Sequence, residues 1–150
     1  MIQTYSCDSS LKGMHMRLLL CSLLLTLGLT ACGGAGGEVT YSGDVWPLIE
    51  SRCSACHDAA GQEYYNSNVL FVDAASTYDV LLNGDVSADT VGGFTKYVVP
   101  GDAANSSLFD KIANDPPDSG GNVMPGSGMM LSESDIDVIG SWINGGALNN

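Results

Sequence analysis

Hydrophobic residues form one long apolar run near the start of the chain and several short amphipathic stretches after it. The run extends from Leu18 to Leu29 and is nearly unbroken. Further along, apolar residues recur at helical spacing in four places, each close to a side chain that can cap a helix. The pattern therefore predicts four helices, separated by loops in a chain that contains 19 glycines.

The predicted helices differ in how clearly their ends are marked. The first is expected from Val45 to about Ala55, after a capping Asp44, and the second is a short helix around Val80–Leu82, between the capping box Ser76–Asp79 and Asn83-Gly84. The third contains Leu108, Phe109 and Ile112 and follows Asn105 or Ser106. The final helix begins at the capping box Ser132–Asp135 and ends at Gly145. In the final helix, Ile136, Ile139 and Ile143 form an apolar stripe, and Gly140 offers a point of close approach. Val69–Val72 is the one strand-like run.

The apolar run near the start is typical of a secretory signal. Lys12 and Arg17 precede it, and it is shorter than the ~20 residues that a membrane-spanning helix needs. Leu29-Thr30-Ala31-Cys32 then resembles the lipobox of bacterial lipoproteins, in which the cysteine is acylated and becomes the new N-terminus. We therefore interpret residues 1–31 as a lipoprotein signal peptide and Cys32 as the lipidation site. An ordinary signal peptide with a free Cys32 is the alternative.

Two methionines just before the apolar run affect where translation starts. Met14 and Met16 are both suitably placed, so we expect residues 1–13 to lie outside the translated protein. The glycine-rich segment that follows Cys32 predicts a flexible tether over residues 32–40. A folded domain is then expected over residues 41–147, with residues 148–150 as a tail.

Charge excludes one class of partner. The full chain has 17 acidic and 5 basic side chains, a net charge of −12, and the leader carries +1, which leaves −13 for the rest. Nucleic acid is not an expected partner, because its phosphates require Lys and Arg. The negative charge fits docking onto a basic face of a partner protein. It equally fits the acidic surface of a protein from a saline habitat.

The motif that carries the chemistry is Cys53-Ser54-Ala55-Cys56-His57. C-x-x-C-H is the attachment motif of c-type haem. On a helical turn, Cys53 and Cys56 share one face, so each thiol can add to a haem vinyl group while His57 turns its imidazole toward the iron. Three alternatives remain open, namely a redox dithiol, a zinc site and a Cys53–Cys56 disulfide, although the zinc site lacks a second pair of cysteines.

A second axial ligand cannot be another histidine, because none follows the leader, and methionine is the usual alternative. The methionines in this part of the chain are Met124, Met129 and Met130. Met124 precedes Pro125 inside a Gly/Pro-rich loop, whereas Met129 and Met130 come directly before the final helix. We therefore predict Met124 as the second ligand and keep Met129 in reserve. Core packing is the alternative role for any of them.

The order of these motifs resembles the single-haem cytochrome c domains of planctomycete-type and related bacterial proteins. The matching segments are Asp44–Ile49, Cys53–His57, Val98–Asp102, Ser106–Leu108, Met124-Pro125, Leu131–Ile139, Trp142-Ile143 and Gly145–Ala147. The resemblance covers about Tyr41 to Ala147. It departs from the family pattern at Asp58, where glycine is common. It departs again after Met124-Pro125, where the family often continues Pro-x-Gly and this chain reads Gly126-Ser127-Gly128.

The resemblance implies a mostly α, loop-rich fold of the cytochrome c type, with N- and C-terminal helices that cross around a covalently bound haem. It implies Cys53 and Cys56 as thioether sites, and His57 and Met124 as axial ligands of the iron. We then expect an electron carrier rather than an enzyme, tethered to the membrane by lipid, most simply at the outer membrane and facing the periplasm. The alternatives are a haem peroxidase or gas or redox sensor in which the methionine leaves the iron, and a haem-free structural lipoprotein.

Overall fold

The computed structural model describes residues 37–60, 69–126 and 128–150. Within these ranges the chain is mostly helical and forms no β-strand, so the predicted mostly α class is confirmed at that level. The described residues belong to one compact unit, Gly37–Asn150. The predicted signal peptide, Cys32 and most of the predicted tether lie outside the described residues.

The first helical segment begins earlier than the sequence pattern predicts. A π-helical turn, Tyr41–Val45, leads into helix α1, Trp46–Arg52. Thr40 is the capping residue, since its hydroxyl accepts from the Gly43 N–H, while Asp44 accepts from the Thr40 N–H at 2.8 Å. The prediction of Asp44 as the cap is therefore wrong, because its carboxylate bonds back to the residue before the turn. Pro47 lies in the first turn of α1, where its missing N–H is not needed.

The expected continuation to Ala55 is interrupted at Cys53. Cys53 is the C-terminal cap of α1, and a separate short helix α2, Ser54–His57, follows it. Helix α3, Ala74–Asn83, then begins after Asp73, whose carboxylate accepts from the N–H groups of Ala75 and Ser76. The predicted start at Ser76 is wrong, because Asp73, three residues earlier, accepts hydrogen bonds from the free N–H groups of the first turn.

The last two helices agree closely with the pattern. Helix α4, Ser107–Ala113, begins after Ser106, and helix α5, Glu133–Asn144, begins after Ser132, whose hydroxyl accepts from the Asp135 N–H. A Cβ built on Gly140 of α5 would lie 2.8 Å from Cε2 of Phe109 in α4. The predicted close approach at Gly140 is therefore confirmed, and it lets α5 pack against α4.

An aromatic group joins the first turn to the last helix. The buried ring of Tyr41 lies 5.4 Å from Trp142 and 5.0 Å from Tyr78, between ring centroids. Its hydroxyl donates to the Ala74 carbonyl, and burial raises the pKa of Tyr41 to about 12. The same core contains the side chains of Val45, Ile49, Phe71, Leu81, Val98, Ile112, Leu131, Ile139 and Ile143. The N-terminal and C-terminal helical segments thus share one core.

The two ends of the compact unit are also hydrogen-bonded to each other. The side-chain oxygen of Asn150 accepts from the Tyr41 N–H at 2.9 Å, and the backbone oxygen of Asn150 accepts from the Ser42 N–H at 3.0 Å. The Trp142 indole donates to the Leu148 carbonyl. The segment expected to be a tail is therefore held against the first turn and the last helix.

The strand-like run does not form a strand. Val69–Val72 has no regular secondary structure, and the Phe71 N–H donates to the His57 carbonyl at 2.7 Å. The prediction of a strand is wrong, because this short segment satisfies its backbone against the C-x-x-C-H turn. In the described part of the chain, no helix combines the length and apolar character needed to cross a membrane.

Candidate functional site

The C-x-x-C-H residues occupy one tight turn at the end of α1. The Cys53 N–H donates to the Ile49 carbonyl at 2.8 Å and closes α1, and the Cys53 carbonyl then accepts from the N–H groups of Cys56 and His57. Cys53 and Cys56 are both half-buried and are not joined by a disulfide bond. The turn therefore presents two free thiols with the imidazole directly after the second.

The environment of Cys53 differs from that of a redox-active thiol. Burial raises the pKa of Cys53 to about 11, the neighbouring Cys56 raises it further, and Arg52 lowers it only in part. Reactive dithiols instead need a lowered pKa, which keeps the thiolate populated at neutral pH. The thiol of Cys53 is thus protonated at neutral pH, unlike the attacking thiolate of a reactive dithiol.

The segment that follows the turn contacts the His57 side chain and orients it. Its Nδ1 lies 3.1 Å from the Val69 carbonyl oxygen, and its ring lies 5.0 Å from the ring of Phe71, between centroids. A carbonyl can only accept, so Nδ1 carries the proton and the lone pair of the neutral ring is on Nε2. Metal-binding histidines are commonly oriented in this way, with one ring nitrogen bonded to a carbonyl and the other directed to the metal.

No feature of the sequence identifies Val69 as the partner of His57. The residue acts through its backbone carbonyl, which every residue possesses, and the segment between His57 and Val69 is largely outside the described residues. Its apolar side chain suggested a strand instead. Only the tertiary arrangement shows that residues 69–71 contact His57 at both its ring and its carbonyl.

Met124 lies in a separate loop, which is bound to α4 rather than to the turn that carries His57. Its N–H donates to the Lys111 carbonyl at 2.7 Å. Its side chain is 37 % exposed, compared with 60 % for Met129 and 49 % for Met130. The structure therefore brings Cys53, Cys56 and His57 together in one turn. Met124 belongs to a different segment and is the least exposed of the three candidate methionines.

A buried carboxylate of α4 binds the loop that connects this helix to Met124. Asp110 is only 3 % exposed and accepts from the Ser119 N–H at 2.7 Å, the Asp118 N–H at 3.1 Å and the Asn114 side-chain amide at 2.7 Å. Burial by itself would raise the pKa of Asp110, but the hydrogen bonds from Ser119, Asn114 and Asp118 outweigh it, and the pKa is lowered. Asp110 is therefore ionised at neutral pH. Nothing in the sequence distinguished it from the other acidic residues.

The donor set fits a c-type haem. Two free thiols on one turn, followed by an imidazole whose Nδ1 is fixed, are the side chains that covalent attachment and proximal ligation require. Among residues 37–60, 69–126 and 128–150, no group of three or more His, Cys, Asp or Glu side chains is arranged to hold a metal ion. No family model matches the chain, and no match is found among curated proteins or solved structures.

Proposed function

We propose that this chain is a single-haem c-type cytochrome that transfers electrons in the bacterial cell envelope. The observation that carries the proposal is the turn Cys53–His57, in which two free thiols precede an imidazole oriented by the Val69 carbonyl. A covalently bound haem supplies a one-electron iron couple when present. Cys53 and Cys56 would hold the haem covalently, and His57 would bind the iron through Nε2.

Met124 is the proposed second ligand. A thioether is neutral and soft, and it favours ferrous iron, so it raises the reduction potential relative to a histidine ligand. With His57 and Met124 both bound, the iron has no open position for a substrate. Electron transfer is therefore the function that this ligand set supports, and peroxidase or sensor activity would require Met124 to leave.

The proposed location is the outer membrane, facing the periplasm. Acylation at Cys32 would provide the anchor, and Gly33 rather than Asp follows the cysteine. The −13 charge of the chain after the leader supports a redox partner with a basic docking face.

The attachment chemistry is tested by expression of the full chain together with a cytochrome c maturation system. Haem should survive denaturing electrophoresis and acid-acetone extraction, and the double variant Cys53→Ala, Cys56→Ala should lose it. Ser54→Ala is a matched control, because Ser54 lies between the two cysteines and its buried hydroxyl has no hydrogen-bond partner among the described residues. Haem that extracts freely from the unmodified protein would contradict covalent attachment.

Carbon monoxide binding distinguishes the electron carrier from the sensor or peroxidase alternative. The reduced unmodified protein should bind it poorly, since Met124 occupies the iron. Ready binding would instead favour a sensor or peroxidase with a labile methionine, and a colourless protein would favour a haem-free lipoprotein.

A further inference from the structure

The loop between α4 and Met124 is bound to two consecutive residues of that helix. Asp110 receives three hydrogen bonds from Asn114, Asp118 and Ser119. Lys111 bonds to the same loop twice, through its Nζ to the Gly120 carbonyl and through its own carbonyl to the Met124 N–H. Lys111, which binds the Met124 N–H, is thus adjacent in α4 to Asp110, whose carboxylate accepts the hydrogen bonds from the rest of the loop.

The loop depends on these bonds because it has little regular structure of its own. Between Ala113 and Met124 the described backbone forms no helix or strand, and one internal backbone bond joins the Gly120 N–H to the Pro117 carbonyl. One further bond, from the Val91 N–H to the Ser119 carbonyl, ties the loop to another segment. A loop with so few internal bonds takes its shape mainly from its external attachments.

We propose that Asp110 is the positioning residue that keeps Met124 available to the iron. The inference rests on the proposed function. Hydrogen bonds to an ionised acceptor are stronger than neutral ones, and the two N–H donors of Asp118 and Ser119 would lose their acceptor if the carboxylate were removed. The loop would then sample conformations in which Met124 is displaced, so a competing ligand would reach the iron more easily.

Imidazole measures this displacement directly. It binds the ferric iron only when Met124 has left, so its apparent affinity rises in proportion to the population of the displaced form. Asp110→Asn keeps the size of the side chain but turns an amide toward the N–H donors. We expect this variant to retain covalent haem, to weaken or lose the near-infrared sulfur-to-iron band, and to bind imidazole about tenfold or more tightly than the unmodified protein.

The matched control is Asp118→Asn. It also removes one negative charge, from the loop next to Asp110, but Asp118 bonds to Asp110 through its backbone N–H, which the substitution keeps. Its imidazole affinity should stay within about twofold of the unmodified protein. An equal shift in Asp118→Asn and Asp110→Asn would overturn the inference, because charge rather than hydrogen bonding would then be responsible.

A second variant covers the case in which Asp110→Asn fails to fold. Asn114→Ala removes one of the three bonds to Asp110 and leaves the carboxylate in place. It should tighten imidazole binding in the same direction by a smaller factor. If neither variant changes the band or the imidazole affinity, Asp110 has no positioning role while the cytochrome assignment stands. If the unmodified protein carries no haem or lacks the band, the proposed function itself fails.

Discussion

His57 shows how much depends on one side chain. Its neighbours in the chain carry the thiols, and its proposed role as an iron ligand would depend on which ring nitrogen carries the proton. The Val69 carbonyl, 3.1 Å from Nδ1, decides that and leaves the lone pair on Nε2. A ring held in this way loses little freedom on binding iron, because its orientation is already fixed.

Met124 carries the prediction that belongs to the residue scale. Met124→Ala should abolish the near-infrared sulfur-to-iron band of the oxidised protein and allow the reduced protein to bind carbon monoxide, because the thioether ligand is gone. Met124→His should keep six-coordination and lower the potential. Absorption spectra and a redox titration measure these effects.

Met129→Ala is the control for that prediction. Met129 is 60 % exposed and precedes α5, so its removal should leave the band unchanged. Loss of the band in Met129→Ala but not in Met124→Ala would transfer the ligand role to Met129. The assignment of the haem to Cys53, Cys56 and His57 would be unaffected.

Helix starts in this chain depend on a choice among several capping side chains. Ser132 caps α5 as the sequence predicts, because its hydroxyl accepts from the Asp135 N–H. At α3, however, Asp73 rather than Ser76 is the cap, and before α1 Thr40 takes the role expected of Asp44. Where Ser, Thr and Asp residues lie close together, the path of the entering chain decides which oxygen reaches the free N–H groups.

The contact between α4 and α5 gives a prediction at the scale of elements. Gly140→Ala would place a Cβ 2.8 Å from Cε2 of Phe109. Overpacking of this kind costs ~1–3 kcal/mol, and alanine's better helix propensity offsets only ~1 kcal/mol. We expect a net loss of about 1 kcal/mol in the free energy of unfolding, measured by urea denaturation.

Two further variants isolate the cause. Ser141→Ala substitutes the adjacent, solvent-exposed position of α5 and should change stability by no more than ~0.5 kcal/mol. Combined with Phe109→Leu, Gly140→Ala should become neutral or stabilising, since the ring that it meets is absent. A stabilising effect of Gly140→Ala on the unmodified background would show that Phe109 moves aside without cost.

At the scale of the whole molecule, the compact unit Gly37–Asn150 joins its ends, with Asn150 bonded to Tyr41 and Ser42. The predicted anchor, Cys32, lies just before this unit in the sequence. If Cys32 is acylated, the glycine-rich segment after it would serve as a short tether between the lipid and this unit.

Cys32→Ser tests the anchor. The unmodified protein should fractionate with membranes, whereas the variant should be soluble in the periplasm or remain unprocessed, because only a thiol is acylated. The relevant anchor is a multiply acylated cysteine, since one acyl chain gives marginal binding. Fractionation and mass spectrometry of the N-terminal peptide measure this, and equal solubility of the two forms would rule out the lipobox.

The sequence by itself determined the features that depend on neighbouring residues. Helical periodicity located α4 and α5, Ser132 marked the start of α5, and Gly140 marked the close approach to Phe109. The spacing of Cys53, Cys56 and His57 predicted their common turn, because a helical turn brings such positions together whatever surrounds it.

The tertiary structure alone decided which distant groups meet these residues. The carbonyl of Val69 orients His57, and the carboxylate of Asp110 fastens the loop of Met124. Neither group has a sequence signature, because the first is a backbone carbonyl and the second is the side chain of one acidic residue among many. Hydrogen bonds of this kind depend on where folding places the partners in space, which local pattern does not encode.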